Sequence, residues 1–152
     1  MRRPVLIVIV GAALAAGVQA SAAAVRTANA QPLSLRWGHG RAVVAARGAI
    51  LGTLRRGRLV VTIPDGSSAV VTVYGAEYRR RLSRHRTLYR GHWLRYRIFD
   101  GSWRIRILGR GVNASAAGSG WFGLEGTEGQ YSIGGGSYRR WPTVYRTFRL
   151  GT

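Results

Sequence analysis

The sequence predicts an all-β domain: an antiparallel sandwich, jelly roll or small barrel of about eight to ten short strands. Three observations lead there. Runs of alternating or β-branched residues recur from residue 33 onward, Gly, Pro and Asp punctuate them at turn-like positions, and no segment carries a helical period free of charge conflict.

Residues 1–20 stand apart from the fold. Arg2 and Arg3 form a basic start, an apolar run follows, and Val18-Gln19-Ala20 fits a small-residue cleavage site, so a signal peptide is expected with Ser21 as the mature start. Ala28-Asn29-Ala30 offers a later site. The rival reading is an uncleaved membrane anchor, since residues 5–25 contain only Gln19 and Ser21 as polar side chains. Residues 21–32 read as a flexible leader, and residues 33–152 as one all-β domain.

Leu33, Leu35 and Trp37 alternate with polar residues in a first strand. Residues 41–46 and 49–54 flank Arg47-Gly48 and suggest a hairpin, though arginine does not favour positive φ. The Val-rich runs 58–63 and 69–74 flank Pro64-Asp65-Gly66, a turn in which proline presets φ and glycine takes the left-handed position. Residues 77–90 are ambiguous. Tyr78, Leu82, His85 and Tyr89 fit one helical face, but Arg80, Arg81 and Arg84 repel one another at that spacing, which favours a basic loop turning to strand near residues 87–89.

Asp100-Gly101 is the strongest local signal, a type I′ hairpin turn. Counting outward pairs Ile98 with Trp103, Tyr96 with Ile105 and Leu94 with Ile107 on one face, and Arg97 with Arg104 and Arg95 with Arg106 on the other. Like charges directly opposite destabilise a sheet, so that arginine face requires water, salt or an anionic partner. From residue 109 to 136 glycine punctuates short apolar pieces, which reads as short strands joined by tight turns, and residues 143–150 as a final strand after Pro142. A displacement of 72 residues maps Gly48, Ile50, Gly57, Leu59 and Val61 onto Gly120, Phe122, Gly129, Tyr131 and Ile133, a weak echo of two similar sheets.

The chain has 24 arginines, no lysine and five acids, a formal net charge of +19. Codon bias in a high-GC genome explains Arg over Lys but not the scarcity of acids. The field attracts polyanions and weakens with salt. Arg95, Arg97, Arg104, Arg106, Arg79, Arg80, Arg81, Arg84 and Arg86 are the candidate anion-binding residues, with aromatics such as Trp93 close by in sequence. No metal site, cofactor or catalytic residue is expected: His39, His85 and His92 are scattered, cysteine is absent, and Asp65 and Asp100 serve turns. Glu125 and Glu128 form the one carboxylate pair a hydrolase could use. Asn113-Ala114-Ser115 satisfies the glycosylation sequon.

Residues 109–120, GRGVNASAAGSG, following Arg104-Ile105-Arg106-Ile107, resemble the small exported glycine-rich all-β proteins of unknown function of high-GC actinobacteria. The resemblance implies export and an all-β fold, and no activity. The expected function is an exported, non-enzymatic module binding an anionic cell-envelope component, either acidic lipid or a phosphate-bearing wall polymer. Nucleic acid would bind only non-specifically. The alternatives are a structural protein pairing through sheet edges with a partner chain and, last, an envelope hydrolase.

Overall fold

The computed structural model describes residues 32–151. The expected signal peptide, both cleavage candidates, the rival anchor and the leader up to residue 31 lie outside the described residues. What is described is all β and antiparallel, in seven strands: β1 (Leu33–Thr62), β2 (Val70–Tyr74), β3 (Tyr78–Ser83), β4 (Arg86–Phe99), β5 (Ser102–Ile133), β6 (Arg139–Arg140) and β7 (Arg146–Leu150). They form one sheet that is not closed, in the order β2-β4-β1-β5-β6, with β3 added to β4 and β7 to β5.

The expected eight to ten short strands give way to seven because two are very long, 30 residues in β1 and 32 in β5. β5 runs along the whole of one edge of β1, from Leu33 opposite Ile133 to Thr62 opposite Arg104. The other edge of β1 meets β5 again beside residues 33–47, with Leu33 opposite Ala116 and Arg47 opposite Ser102. Beside residues 50–62 that edge meets β4, with Ile50 opposite Ile98 and Thr62 opposite Arg86. The first half of β5 is thus held between both halves of β1. Only a sheet that winds round on itself satisfies both registers.

Glycine makes the winding possible. Gly91, Gly57, Gly109, Gly40 and Gly126 lie directly opposite one another in successive strand segments, a glycine row across the sheet. At Gly57 the backbone is left-handed (φ 153°), and a methyl group would collide with the Leu108 carbonyl oxygen. Such a row lets the sheet bend sharply without interrupting its hydrogen bonds. The glycines of residues 109–129 therefore mark bends within one strand, not turns between short ones, and the hairpin expected at Arg47-Gly48 is absent because β1 continues through it.

Asp100-Gly101 corrects the expectation in an instructive way. Both residues take positive φ, 62° and 56°, as the turn requires. Yet β4 and β5 do not pair with each other: both lie in succession along the same edge of β1. Gly48 N–H donates to the Gly101 carbonyl at 3.1 Å. The Ser67 hydroxyl closes the corner, donating to the Ser102 carbonyl at 2.6 Å and accepting from Ser102 N–H at 2.9 Å. Two physical gains favour this arrangement. The apolar faces of both strands find the large apolar face of β1, and the four arginines escape direct opposition. Arg95 and Arg97 now face Thr53 and Leu51, while Arg104 and Arg106 face Thr62 and Val60. The inward alternation holds: Leu94, Tyr96, Ile98, Trp103, Ile105 and Ile107 are all buried.

Residues 77–90 are not a helix, and the strand expected near residues 87–89 forms, but residues 78–83 are strand as well and not loop. β3 and the start of β4 form a β-hairpin about Arg84-His85, pairing Tyr78 with Arg90 and Arg80 with Leu88. Extended backbone sends successive arginines to opposite faces, which relieves the repulsion a helix would concentrate. The Pro64-Asp65-Gly66 turn forms, with Ser67 N–H donating to the Pro64 carbonyl at 3.2 Å, but β2 then pairs with β4 and not with β1.

Leu33, Ile50, Leu54 and Phe122 are among the residues that join these six in the interior. Its polar groups are satisfied. The Trp103 indole N–H donates to the Gly48 carbonyl at 2.9 Å and the Tyr96 hydroxyl to the Asn113 carbonyl at 3.2 Å; burial pushes the Tyr96 phenol up. The segment after β6 follows the edge of β5 and turns Trp141 into the interior. There the Trp141 ring sits on Gly38, Gly126 and Gly129, its N–H donating to the Gln130 carbonyl at 3.1 Å.

Candidate ligand-binding face

The packed interior leaves the outer surface of the winding sheet as the place for chemistry, and there the arginines converge. Reading along β1 from residue 62 to residue 51, each outward row joins β4, β1 and β5. The rows are Arg86, Thr62 and Arg104; Leu88, Val60 and Arg106; Arg90, Arg58 and Leu108; His92, Arg56 and Arg110; Arg95, Thr53 and Asn113; and Arg97, Leu51 and Ser115. Every row carries at least one arginine.

Of the nine candidates from sequence, Arg80, Arg86, Arg95, Arg97, Arg104 and Arg106 share this outer face, Arg80 lying beyond Leu88 on β3. Arg79 and Arg81 turn to the other side of β3, where Arg79 stacks over Tyr89 with its guanidinium 5.7 Å from the ring centre. Arg81 donates to the Ser83 and Arg84 carbonyls and so stabilises its own turn, which Arg84 occupies. Arg95 and Arg97 flank Tyr74, and Arg97 donates to its hydroxyl at 3.2 Å. The facing pairs expected across the hairpin are replaced by two others, Arg58 opposite Arg90 and Arg56 opposite Arg110.

The middle of the face holds a feature missed in the sequence. Arg36-Trp37 and Arg55-Arg56 of β1, His92-Trp93 of β4 and Thr127-Glu128 of β5 each place two successive residues outward, where strict alternation would expose one. Arg110-Gly111 completes the line, and Trp37, Trp93 and Gly111 all carry left-handed backbone, at φ 54°, 58° and 63°. These irregularities in the pleat are aligned across the sheet, so that between β1 and β4 the register is kept. The left-handed residue re-aims its side chain to the outer face. Trp37, expected to follow Leu33 and Leu35 inward, is turned out to 72% exposure, and Trp93 reaches 68%.

Between the two tryptophans lies a depression of about 620 Å³ lined also by His39, Thr53, Arg55, Arg56, Arg110 and Glu128. Arg55 lies 5.8 Å from the Trp93 ring centre. Asn113 braces the floor: its side-chain oxygen accepts from Trp37 N–H at 3.1 Å, and its amide donates to the Gly111 carbonyl at 3.3 Å. The sequon asparagine is thus engaged in holding Trp37. Glu77 lies 2.8 Å from the His92 ring, and that hydrogen bond holds the Glu77 carboxyl below the usual carboxylate range.

The remaining acids are dispersed. Asp65 meets His85 at 3.3 Å and Glu125 meets Arg41 at 3.8 Å, while Glu128 lies opposite His39. Among the described residues no three His, Asp or Glu side chains converge as a metal site, and no helix is long and apolar enough to cross a membrane. Comparison with known proteins finds no matching family model, curated protein or solved structure.

Proposed function

We propose that this protein is a non-enzymatic binding module that holds an anionic polymer or acidic surface of the cell envelope on the outer face of its sheet. The observation that carries this reading is the direct opposition of Arg58 to Arg90 and of Arg56 to Arg110 in adjacent rows. Like charges in that position destabilise a sheet unless an anion lies over them, and the guanidinium fork suits phosphate and carboxylate alike. Arg104, Arg106, Arg86 and Arg80 extend the basic surface toward one end of β1, and Arg95 and Arg97 toward the other. The basic start and apolar run of residues 1–20 support export to that location.

The test is retention on vesicles containing phosphatidylglycerol and on immobilised inorganic polyphosphate across a salt series. Binding should fall steeply with salt. Replacing Arg56, Arg58, Arg90 and Arg110 by Gln should weaken it by roughly a hundredfold or more, at about 1 kcal/mol per arginine near an anionic surface. Retention indifferent to salt on both supports would sink the proposal.

A further inference from the structure

We infer that the depression between Trp37 and Trp93 is a subsite for an acidic glycan, a chain of sugar rings bearing carboxylate groups. The inference rests on the polyanion-binding reading of the surrounding face and names its ligand class.

Three observations point there. The first is strain without local return. Trp37 and Trp93 hold left-handed backbone, which a bulky L-residue adopts at a cost, yet they are 72% and 68% exposed and gain little packing for it. Glycine at either position would remove the cost; what tryptophan adds is a large flat ring presented to solvent. The second is the company the rings keep. Arg56 and Arg110 oppose each other between them, placed to grip a carboxylate from two sides, and Glu128 and Thr53 add acceptors that suit ligand hydroxyls. Sugar hydroxyls can donate to the Glu128 carboxylate, whereas polyphosphate offers it no such donors. The third is span. Trp93 and Trp37 are three strand positions apart, roughly 14 Å along the sheet, so a linear chain of several rings reaches both, each apolar sugar face resting on one indole.

Calorimetric titration of the whole protein tests this with four probes: a short oligogalacturonate, its carboxyl-reduced neutral counterpart, inorganic polyphosphate and oligo-dT. The oligogalacturonate should bind, and Trp37→Ala with Trp93→Ala should weaken it roughly tenfold, as expected for two aromatic contacts, while changing polyphosphate affinity by less than about twofold. The neutral counterpart should bind roughly tenfold more weakly than the acid. Replacing both tryptophans by Gly should raise the unfolding midpoint while weakening oligogalacturonate to the same extent, which separates loss of the site from loss of the fold. Oligogalacturonate affinity unchanged in both double variants, equal binding of acid and neutral chains, or a tryptophan dependence confined to oligo-dT would each overturn the inference and leave the wider reading standing. Salt-indifferent binding of polyphosphate would instead remove the wider reading.

Discussion

Trp141 lies against the inner face of the sheet and the pair Trp37 and Trp93 against the outer, and their situations are opposite. Trp141 is 5% exposed, seated on a floor of Gly38, Gly126 and Gly129 with its N–H bonded. Trp37 and Trp93 stand out at 72% and 68% on strained backbone. Packing accounts fully for the first arrangement. It accounts for neither of the others, and that difference separates an aromatic that holds the molecule together from two that are available to something else.

The largest expected effect breaks the covered side. Trp141→Ala should cost about 3–5 kcal/mol, as for a buried aromatic, read by chemical denaturation. Gly38→Ala should destabilise the parent strongly, because the new methyl group strikes the Trp141 ring. In the Trp141→Ala background the same substitution should cost far less, so the double-mutant cycle should show a coupling of about 1–3 kcal/mol. Full additivity there would mean that the ring does not rest on the glycine floor.

A smaller effect of opposite sign is expected on the open side. Trp37→Gly and Trp93→Gly should each stabilise the fold by about 1 kcal/mol through relief of the left-handed backbone, partly offset by the greater entropy of an unfolded glycine. Destabilisation beyond about 1 kcal/mol by either would place these tryptophans in the same class as Trp141. Smallest of all is the contribution of Glu77 beside His92. Its folded carboxyl titrates below the unfolded value of 4.5, so the stabilisation is present above that pH and disappears as pH falls through the folded value. Glu77→Gln should flatten the acid limb of the unfolding midpoint against pH; an unchanged slope would show that the His92 contact contributes nothing.

Much of the fold was legible because alternation is local. Leu94, Tyr96, Ile98, Trp103, Ile105 and Ile107 are inward as their spacing required, and Asp100 and Gly101 adopt the predicted dihedrals. What lay beyond reach was the partner. A turn between two apolar strands looks the same whether they pair with each other or lie in succession along a third, and β1 is distant in sequence from both. The glycines misled for a related reason: Gly109 breaks a strand unless Gly57 and Gly40 stand opposite it, and only the register brings them there. The line of outward pairs did leave a trace. Inward residues switch from Leu33 and Leu35 to Ala42 and Val44, from Leu54 to Leu59 and Val61, and from Ile107 to Val112 and Ala114, each a change from odd to even positions or the reverse. That trace marks a slip in every strand, but not that the slips align, and alignment is what assembles Trp37, Trp93, Arg55 and Arg56 in one place.

The double register of β1 also governs when the molecule can form. The 30 residues of β1 pair only with β4 and β5, so the strand has no complete partner until residue 133 exists. At synthesis rates of roughly 5–20 residues per second one of its edges stays incompletely paired for some 4–14 s. Ordering must then proceed by long-range closure, which is slow. Shortened chains ending before residue 102 would present β1 with one edge permanently unsatisfied, and aggregation in place of partial folding is their expected fate.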